Sequence, residues 1–447
     1  MNKTGRYISI IIVALLIPLL VTGCKKKPKE YVAQKAPITL TYYKLHEPQE
    51  NLDGIFRKFT NQNPHVTMNF VEFNNEEEYL ERIVSEIAEG GGPDIISVPN
   101  NWILQNYKKL TPAPATQATA AIFQELFVDI AEKDNVLTIG EESFVYGMPL
   151  TVDTLALYYN DEHFEEKIPE QGKPSSTWNG LTRDSNILTA FNADKEIQKS
   201  GLAIGSENSH SVVDALYLLL LQYDVPFYDS KFRSAKFANS SDSSRILDFL
   251  LAYSDPTSSV FSWSEGFSDD AVAAFARGDT SMILGYSDTY KKVLGELSAQ
   301  KSLGHKVIKA RDVKIIEAPQ LDLENKVAFA HYYTEAVTRN SENAEDAWKL
   351  LTFMVGSENL QSWYDKDFKP TSRRDLIPEQ RNNPIFGVFA RQVGYAESFP
   401  IIDYLEYEEI FKTMIGEAQG VITKRPLLVN AQNQINRLIP SGGANPL

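Results

Sequence analysis

One thiol, Cys24, is the only cysteine in 447 residues, and it follows the aliphatic and small residues Leu20-Val21-Thr22-Gly23. Small side chains before it give a peptidase access to the Gly23–Cys24 bond. With no second thiol, no internal disulfide can form. The other residues able to do chemistry are carboxylates, amides and aromatics that follow apolar runs. They are Glu47 beside His46, Asn101 and Trp102 beside Asn100, then Asp153, Trp263, Tyr286, Asp288 after Ser287, and His331-Tyr332-Tyr333. Carboxylates and amides match the hydroxyls of a polyol, and flat rings cover the apolar face of a sugar ring. The six histidines make no HExxH and no zinc-spaced pair, and no G-x-S-x-G occurs. Two carboxylates facing each other in a cleft can also hydrolyse a glycosidic bond, so a glycosidase stays open. Three adjacent tyrosine pairs, Tyr42-Tyr43, Tyr158-Tyr159 and Tyr332-Tyr333, raise ferric iron as a cargo. Neighbours within a strand face opposite sides, so only the third pair, with His331, can converge.

The elements that must position these groups alternate in type. Ile38 to Tyr43 reads as a strand and Asn51 to Asn61 as a helix with Leu52, Ile55, Phe56 and Phe59 on one face. His65 to Phe73 is a second strand. Glu76 to Glu89 is a helix with a stripe of Leu80, Ile83, Val84 and Ile87, and Asp94 to Val98 is a third strand. Strand and helix alternating over short connections predict a parallel sheet covered by helices. Gly90-Gly91-Gly92-Pro93 precedes a strand and lacks a Lys-Ser/Thr, so it reads as a helix stop and not as a phosphate loop. Beyond it, Thr154–Tyr159, Thr280–Leu284 and Val313–Ile316 read as strands. Helices are expected over 211–222, 243–253, 269–277, 344–355, 360–365, 410–415 and 427–439, with Thr111 to Ala121 leading into one more.

Lys3 and Arg6 precede an apolar run from Tyr7 to Val21. At about 15 residues it falls short of the roughly 20 that span a bilayer, so it reads as an export signal. Its end resembles the bacterial lipobox, with Cys24 the lipidated residue and two or more acyl chains as the anchor. Lys25-Lys26-Lys27-Pro28-Lys29 then begins a tether that runs to residue 37; beside a lipid such a cluster either favours an anionic leaflet or is simply solvated. The net charge of -15 becomes -17 once residues 1–23, with two cations and no acid, are removed. That balance argues against nucleic acid as a partner. The 424 residues left when 23 are taken from 447 exceed what one core supports, so two lobes are expected.

Seven further segments, in order, resemble the family 1, maltose-binding-protein-like extracellular solute-binding proteins of ABC importers. They are Gly92-Pro-Asp-Ile-Ile96, Tyr146-Gly-Met-Pro149 with Leu157-Tyr-Tyr-Asn160, Pro174 with Thr177-Trp178, Ala274-Phe-Ala-Arg-Gly-Asp-Thr-Ser-Met282, Ala344-Glu-Asp-Ala-Trp-Lys-Leu-Leu351, Lys369-Pro-Thr-Ser-Arg-Arg374 and Ile435-Asn436. The fourth carries Ser281 where the family usually has Ala. The resemblance implies an α/β fold of the two-lobe, type II periplasmic-binding-protein kind, with a cleft between lobes joined by hinge strands. By analogy residues 38–152 plus 330–365 form lobe 1, and 153–329 plus 366–447 form lobe 2. It further implies a monomeric, lipid-anchored receptor on the extracytoplasmic face of the cell membrane, which hands a small solute, a carbohydrate first of all, to an ABC permease. The ligand contacts expected on this basis are Glu47, Asn101, Trp102, Asp153, Trp263, Tyr286, Asp288, His331 and Tyr332, with no cofactor, metal or catalytic residue. His331-Tyr332-Tyr333 departs from the small residues usual at that crossing and would shrink the cleft. Iron or a polyamine as cargo, a glycosidase, and an adhesin on the same fold remain the alternatives.

Replacing Cys24 by Ser should block thioether acylation and processing before residue 24. Metabolic labelling with a fatty-acid analogue checks this: a Cys24→Ser chain that still takes up label would refute the anchor.

Overall fold

The strand Ile38–Leu45 sorts its side chains into two layers, as the two-residue period of a strand requires. Leu40 and Tyr42 enter one core, Tyr43 and Leu45 another on the opposite face. In the computed structural model, which describes residues 35–440 apart from 269 and 368, this strand is the second of five. The signal segment 1–23, Cys24 and the tether as far as residue 34 lie outside the described residues.

Ile38–Leu45 pairs in parallel with Val66–Phe73 on one side and Ile95–Pro99 on the other. The expected parallel sheet therefore holds for three strands. It is then completed by Tyr333–Thr338, which runs antiparallel to Ile95–Pro99 and to Leu110–Thr111. A strand arriving more than 200 residues later gives no local periodic signal of its partner. The helix Gln49–Gln62 buries Leu52, Ile55, Phe56 and Phe59, the four residues of its predicted face. The helix Glu76–Ala88 is rotated from expectation: Val84 is 46% exposed, while Tyr79 and Ile83 are buried. The cause is polar, since the Tyr79 hydroxyl donates to the Ser97 carbonyl at 2.6 Å and receives the Ser97 N–H at 2.8 Å. Gly90 and Gly92, with φ of 84° and 99°, end that helix in backbone that only glycine adopts freely.

A second, three-stranded sheet has Ala156–Asn160 at its centre, antiparallel to Met282–Gly285 and Val313–Glu317. Leu157 and Tyr159 face one core and Tyr158 the other. The larger core holds the helix Val212–Gln222, apolar apart from Asp214 in its first turn and buried from Val212 to Leu220, as a helix enclosed by others must be. Ser241–Leu251, Tyr404–Glu417 and Arg425–Leu438 enclose it. Thr177 caps Trp178–Leu188 through a bond from the Gly180 N–H, and the Trp178 indole donates to Gln222 at 2.8 Å.

Three chain segments connect the two sheets. Leu155 N–H donates to the Phe329 carbonyl at 2.9 Å, and His331 N–H to the Asp153 carbonyl at 3.2 Å. Ala328–Phe329 pairs in parallel with Ala396–Glu397, and Ala330 N–H donates to the Glu397 carbonyl at 2.9 Å. Val152 and Ala330 lie in the first sheet's core, Leu155 and Phe329 in the second's. Late in the chain Leu376, Val393 and Ala396 return to the first core, whereas Phe399 and Ile401 join the second.

Across three neighbouring strands of the first sheet, Lys44, Ser97 and Glu335 form one buried cluster. Lys44 Nζ lies 2.5 Å from Glu335 Oε1 and 3.0 Å from Ser97 Oγ, with side chains only 7% and 1% exposed at the two charges. A buried charge stripped of its partner costs about 3–5 kcal/mol, while replacing both by apolar groups is often neutral. Glu335→Leu should therefore lower the urea midpoint sharply, and Lys44→Met/Glu335→Leu should recover most of the loss. Equal midpoints for the single and double variants would show that the pair is not coupled.

Candidate functional site

Where the crossing segments separate the two sheets, a cavity of about 790 Å³ opens, within the range of roughly 300–1,000 Å³ usual for small-molecule sites. From the first sheet come His46 and Glu47, just past the end of Ile38–Leu45, then Glu76 at the start of its helix, and Tyr333. His46 turns the chain with φ of 52°, which aims Glu47 inward. The Glu47 carboxylate accepts from Asn51 Nδ2 at 2.8 Å and from the Trp363 indole at 3.1 Å, and Trp363 itself lines the cavity. The second sheet contributes Tyr286 and Asp288, just past Met282–Gly285. The loop before Val212–Gln222 adds Glu207, His210 and Ser211, the helix itself adds Asp214, and Tyr404, Glu408 and Lys412 come from one face of Tyr404–Glu417.

Of the nine expected contacts, Glu47, Asp153, Tyr286, Asp288, His331 and Tyr332 border this cavity. Asn101, Trp102 and Trp263 do not, and these three assignments are corrected. After Ile95–Pro99 the chain tightens into the short turn Asn100–Trp102, which carries Trp102 into the core beside Ile103 and Leu110, with Lys109 Nζ over its ring at 5.3 Å. Asn101 is buried beside it, its carbonyl accepting the Ile401 N–H at 2.9 Å. Trp263 packs behind the second sheet against Phe267, at 5.8 Å between ring centres.

Several bordering groups are already committed. Asp153 accepts from the Ser287 N–H at 3.0 Å, the Ser287 hydroxyl at 2.5 Å and the Thr154 N–H at 2.8 Å. Its carboxylate thus closes the N-terminus of Ser287–Ser302 as well as facing the cavity. Burial pushes its pKa up to about 7 against those bonds. Tyr332 turns its hydroxyl away to Asp134, at 2.9 Å, where Asn100 and Ser398 also donate. Tyr333 donates to Glu76, whose pKa is raised by burial despite that bond. The tyrosine pairs therefore diverge: Tyr42 and Tyr43 enter different cores, and Tyr332 and Tyr333 reach different carboxylates. Among the described residues no group of three or more His, Cys, Asp and Glu side chains is placed to hold a metal ion.

At the centre His331 stacks on Tyr404, rings 4.5 Å apart and 19° from parallel, with Tyr286 at 5.8 Å. Burial pulls the His331 pKa down to about 4, so the ring is neutral at physiological pH. Its Nδ1 and the Tyr286 hydroxyl are buried without a hydrogen-bond partner. Asp214 is pushed up to about 7 by burial and then by Glu408. Reading the sequence missed Glu76, which sits in a run of acids, and Trp363 and Tyr404, which look like ordinary helix core. Asp214 did leave a trace, as the single charge in Val-Val-Asp-Ala-Leu-Tyr-Leu-Leu-Leu-Leu.

A family profile described as bacterial extracellular solute-binding protein matches residues 54–382. A protein of Brucella abortus (strain 2308), named only as a binding protein, is 18% identical over 374 residues, covering 83% of this chain and 84% of its own. Among solved structures, an ABC transporter solute-binding protein from Thermotoga lettingae bound with alpha-D-tagatose superposes with a TM-score of 0.68 at 17% identity, over 90% of this chain and 99% of that one. The sugar-binding protein of Xanthomonas citri gives 0.71 at 14% identity, over 90% and 97%. An ABC substrate-binding protein from Listeria monocytogenes in complex with cycloalternan gives 0.67 at 18%, over 90% and 98%. These likenesses establish the two-lobe, type II periplasmic-binding-protein fold, and with the profile matching most of its length the chain belongs to the bacterial extracellular solute-binding proteins.

Proposed function

We propose that this receptor captures a carbohydrate in the cavity between its lobes and delivers it to an ABC permease, anchored through Cys24 and without catalysis. One observation carries the reading: hydroxyl-matching carboxylates and a histidine converge with Tyr286, Tyr404 and Trp363 in one cavity at the crossing of two lobes. Sugars bound by neighbours of the same fold, tagatose and cycloalternan, support the ligand class. We place the lobe boundaries near residues 153–155 and 329–330, with the segment after residue 365 shared between both lobes and not confined to the second. Glu47, Tyr286 and His331 are the proposed direct contacts, each keeping hydrogen-bonding capacity towards the cavity. Asp153 and Asp288 act at its rim, where Asp153 holds Ser287 and Asp288 holds Lys292 at 2.8 Å. Tyr332 walls the hinge.

A solute touching both lobes favours their closed arrangement. A thermal-shift screen of mono- to tetrasaccharides should find one that stabilises the protein, by about 2.7 kcal/mol at 100 times its dissociation constant. Small-angle scattering at saturation should then show a smaller radius of gyration. An unchanged radius would place the sugar outside the cleft or make the cleft rigid.

The raised carboxyl of Asp214 has a sign that can be checked. Its proton is bound more tightly in the folded chain, so its stabilising share is complete below the ordinary carboxylate range and is lost as pH rises through about 7. His331, lowered to about 4, works oppositely below pH ~6.5 and masks the effect in the parent. The comparison that isolates Asp214 is Asp214→Asn minus parent. Melting curves should show the Asn variant gaining on the parent as pH rises from 5 to 7, by about 1.4 kcal/mol per unit at most, with no further gain above pH 8.

A further inference from the structure

The helix Ser287–Ser302 runs on past the end of the cavity. Tyr286 is its N-cap residue, and the Tyr286 ring lies 5.8 Å from His331, which stacks on Tyr404. The ring cluster therefore stands at the start of this helix. Asp288 and Lys292 line the cavity, while Lys292, Gly295 and Glu296 line a second hollow of about 490 Å³. These positions recur at helical spacing and share one face. From Asp288 to Glu296 that face extends for about 12 Å of helix axis, longer than one pyranose ring. The two hollows are continuous, since Asn208, His210 and Lys292 border both. Asp270, Ala271 and Val272, at the start of the helix Ala271–Arg277, form the far wall.

Two charged side chains flank the way out, and each is drawn aside. Lys292 Nζ is held by Asp288 one turn earlier at 2.8 Å, and Glu296 Oε2 accepts from Gln300 one turn later at 3.0 Å. Between them Gly295 leaves bare backbone. A Cβ added there would meet nothing within 4 Å. Neither packing nor a left-handed backbone calls for glycine, because residue 295 lies inside a regular helix of 16 residues. In that setting glycine is less stable than alanine. Alanine would serve the fold better; glycine serves the close approach of a ligand to the backbone.

Resting on the reading of the cavity as a saccharide site, we propose that the second hollow is an outer subsite and that the solute is a linear oligosaccharide, with one end at the ring cluster and the other passing over Gly295. A sugar ring has an apolar C–H face and a hydroxyl-bearing edge. Ala271 and Val272 with the bare Gly295 backbone match the face, and Asn208, His210 and Glu296 at the rim match the hydroxyls. A single sugar ring cannot occupy both hollows. Affinity contributed by the outer one is therefore a property of chain length, separable from recognition in the main cavity.

Calorimetric titration of the detergent-solubilised full chain against matched pairs tests this. The pairs are maltose and maltotetraose, cellobiose and cellotetraose, and mannobiose and mannotetraose, with glucose and mannose beside them. In at least one pair the tetrasaccharide should bind tenfold or more tightly than its disaccharide. Gly295→Phe, confirmed folded by circular dichroism, should bring that tetrasaccharide down to the disaccharide's affinity. Gly295→Ala should raise the melting temperature, as expected where the fold has no need of glycine. Tetrasaccharides that bind no more tightly than the shorter sugars would overturn the outer subsite and leave the sugar reading intact. A length preference that survives Gly295→Phe would do the same, as would a Gly295→Ala chain that melts lower than the parent. Binding of none of these sugars would overturn both.

Discussion

Three crossing segments lie side by side between the sheets, and each satisfies its backbone groups on the next: 153–155 on 329–331, and 328–330 on 396–397. A segment leaving one sheet for another strips its N–H and C=O groups of ladder partners, and buried groups left unpaired are costly. Pairing the crossings with one another removes that cost and confines the freedom of the lobes to torsion of a narrow ribbon. Asp134 fixes one side of the ribbon. Its carboxylate takes hydrogen bonds from Asn100 at the end of a sheet strand, from Tyr332 on one crossing and from Ser398 beyond another. Burial raises this acid while those three bonds lower it, so a single buried carboxylate ties the first lobe to both later crossings.

The cavity inherits its chemistry from that arrangement. A crossing cannot be both a hinge strand and a freely presented binding loop, so its polar residues divide their bonds. Asp153 shows the division: its backbone carbonyl holds His331, while its side chain holds Ser287 and Thr154. The family-based expectation of a ligand-contacting acid at this position therefore meets a carboxylate with three protein donors already in place. Lining groups with more remaining capacity come from helix starts beyond the ribbon, such as Glu76 and Asp214, and on the ribbon itself from His331, stacked on Tyr404.

How much of this could be read beforehand follows from the range of each signal. Period-two and period-3.6 patterns located the strands at Ile38–Leu45, Val66–Phe73, Ile95–Pro99 and Ala156–Asn160 and the helices around them within a few residues. Motif order led to the fold class. Failures came where a polar contact overrode a pattern or where a loop bent out of sight. The Tyr79–Ser97 bonds rotated one helix and exposed Val84. The turn Asn100–Trp102 hid a tryptophan that a straight continuation would have presented. Trp263 gave no local sign of which face of its sheet it would pack on. Six of nine expected contacts border the cavity because they flank strand ends that meet at the crossing: Glu47, Tyr286 and Asp288 follow a strand, and Asp153, His331 and Tyr332 precede one. The lining residues that were missed sit on helices, where a residue's outlook depends on which neighbour covers the rest of the turn.

Tyr404–Glu417 shows how such helices reach the site. Tyr404, Glu408 and Lys412 recur every four residues and all line the cavity, while Tyr407, Ile410, Phe411 and Met414 fill the second core. One helix thereby delivers a ring, an anion and its counter-cation as a ladder, positioned by the burial of its other face. Val212–Gln222 does the same with less freedom, because it is covered on every side and only its first turn meets the cavity. Asp214 lies in that first turn, near the positive end of the helix, where an acid is least costly. Burial still drives it up to about 7, so desolvation by the surrounding aromatic residues outweighs the helix end. The apolar packing that makes the second lobe stable thus also raises the pH at which its carboxyl ionises.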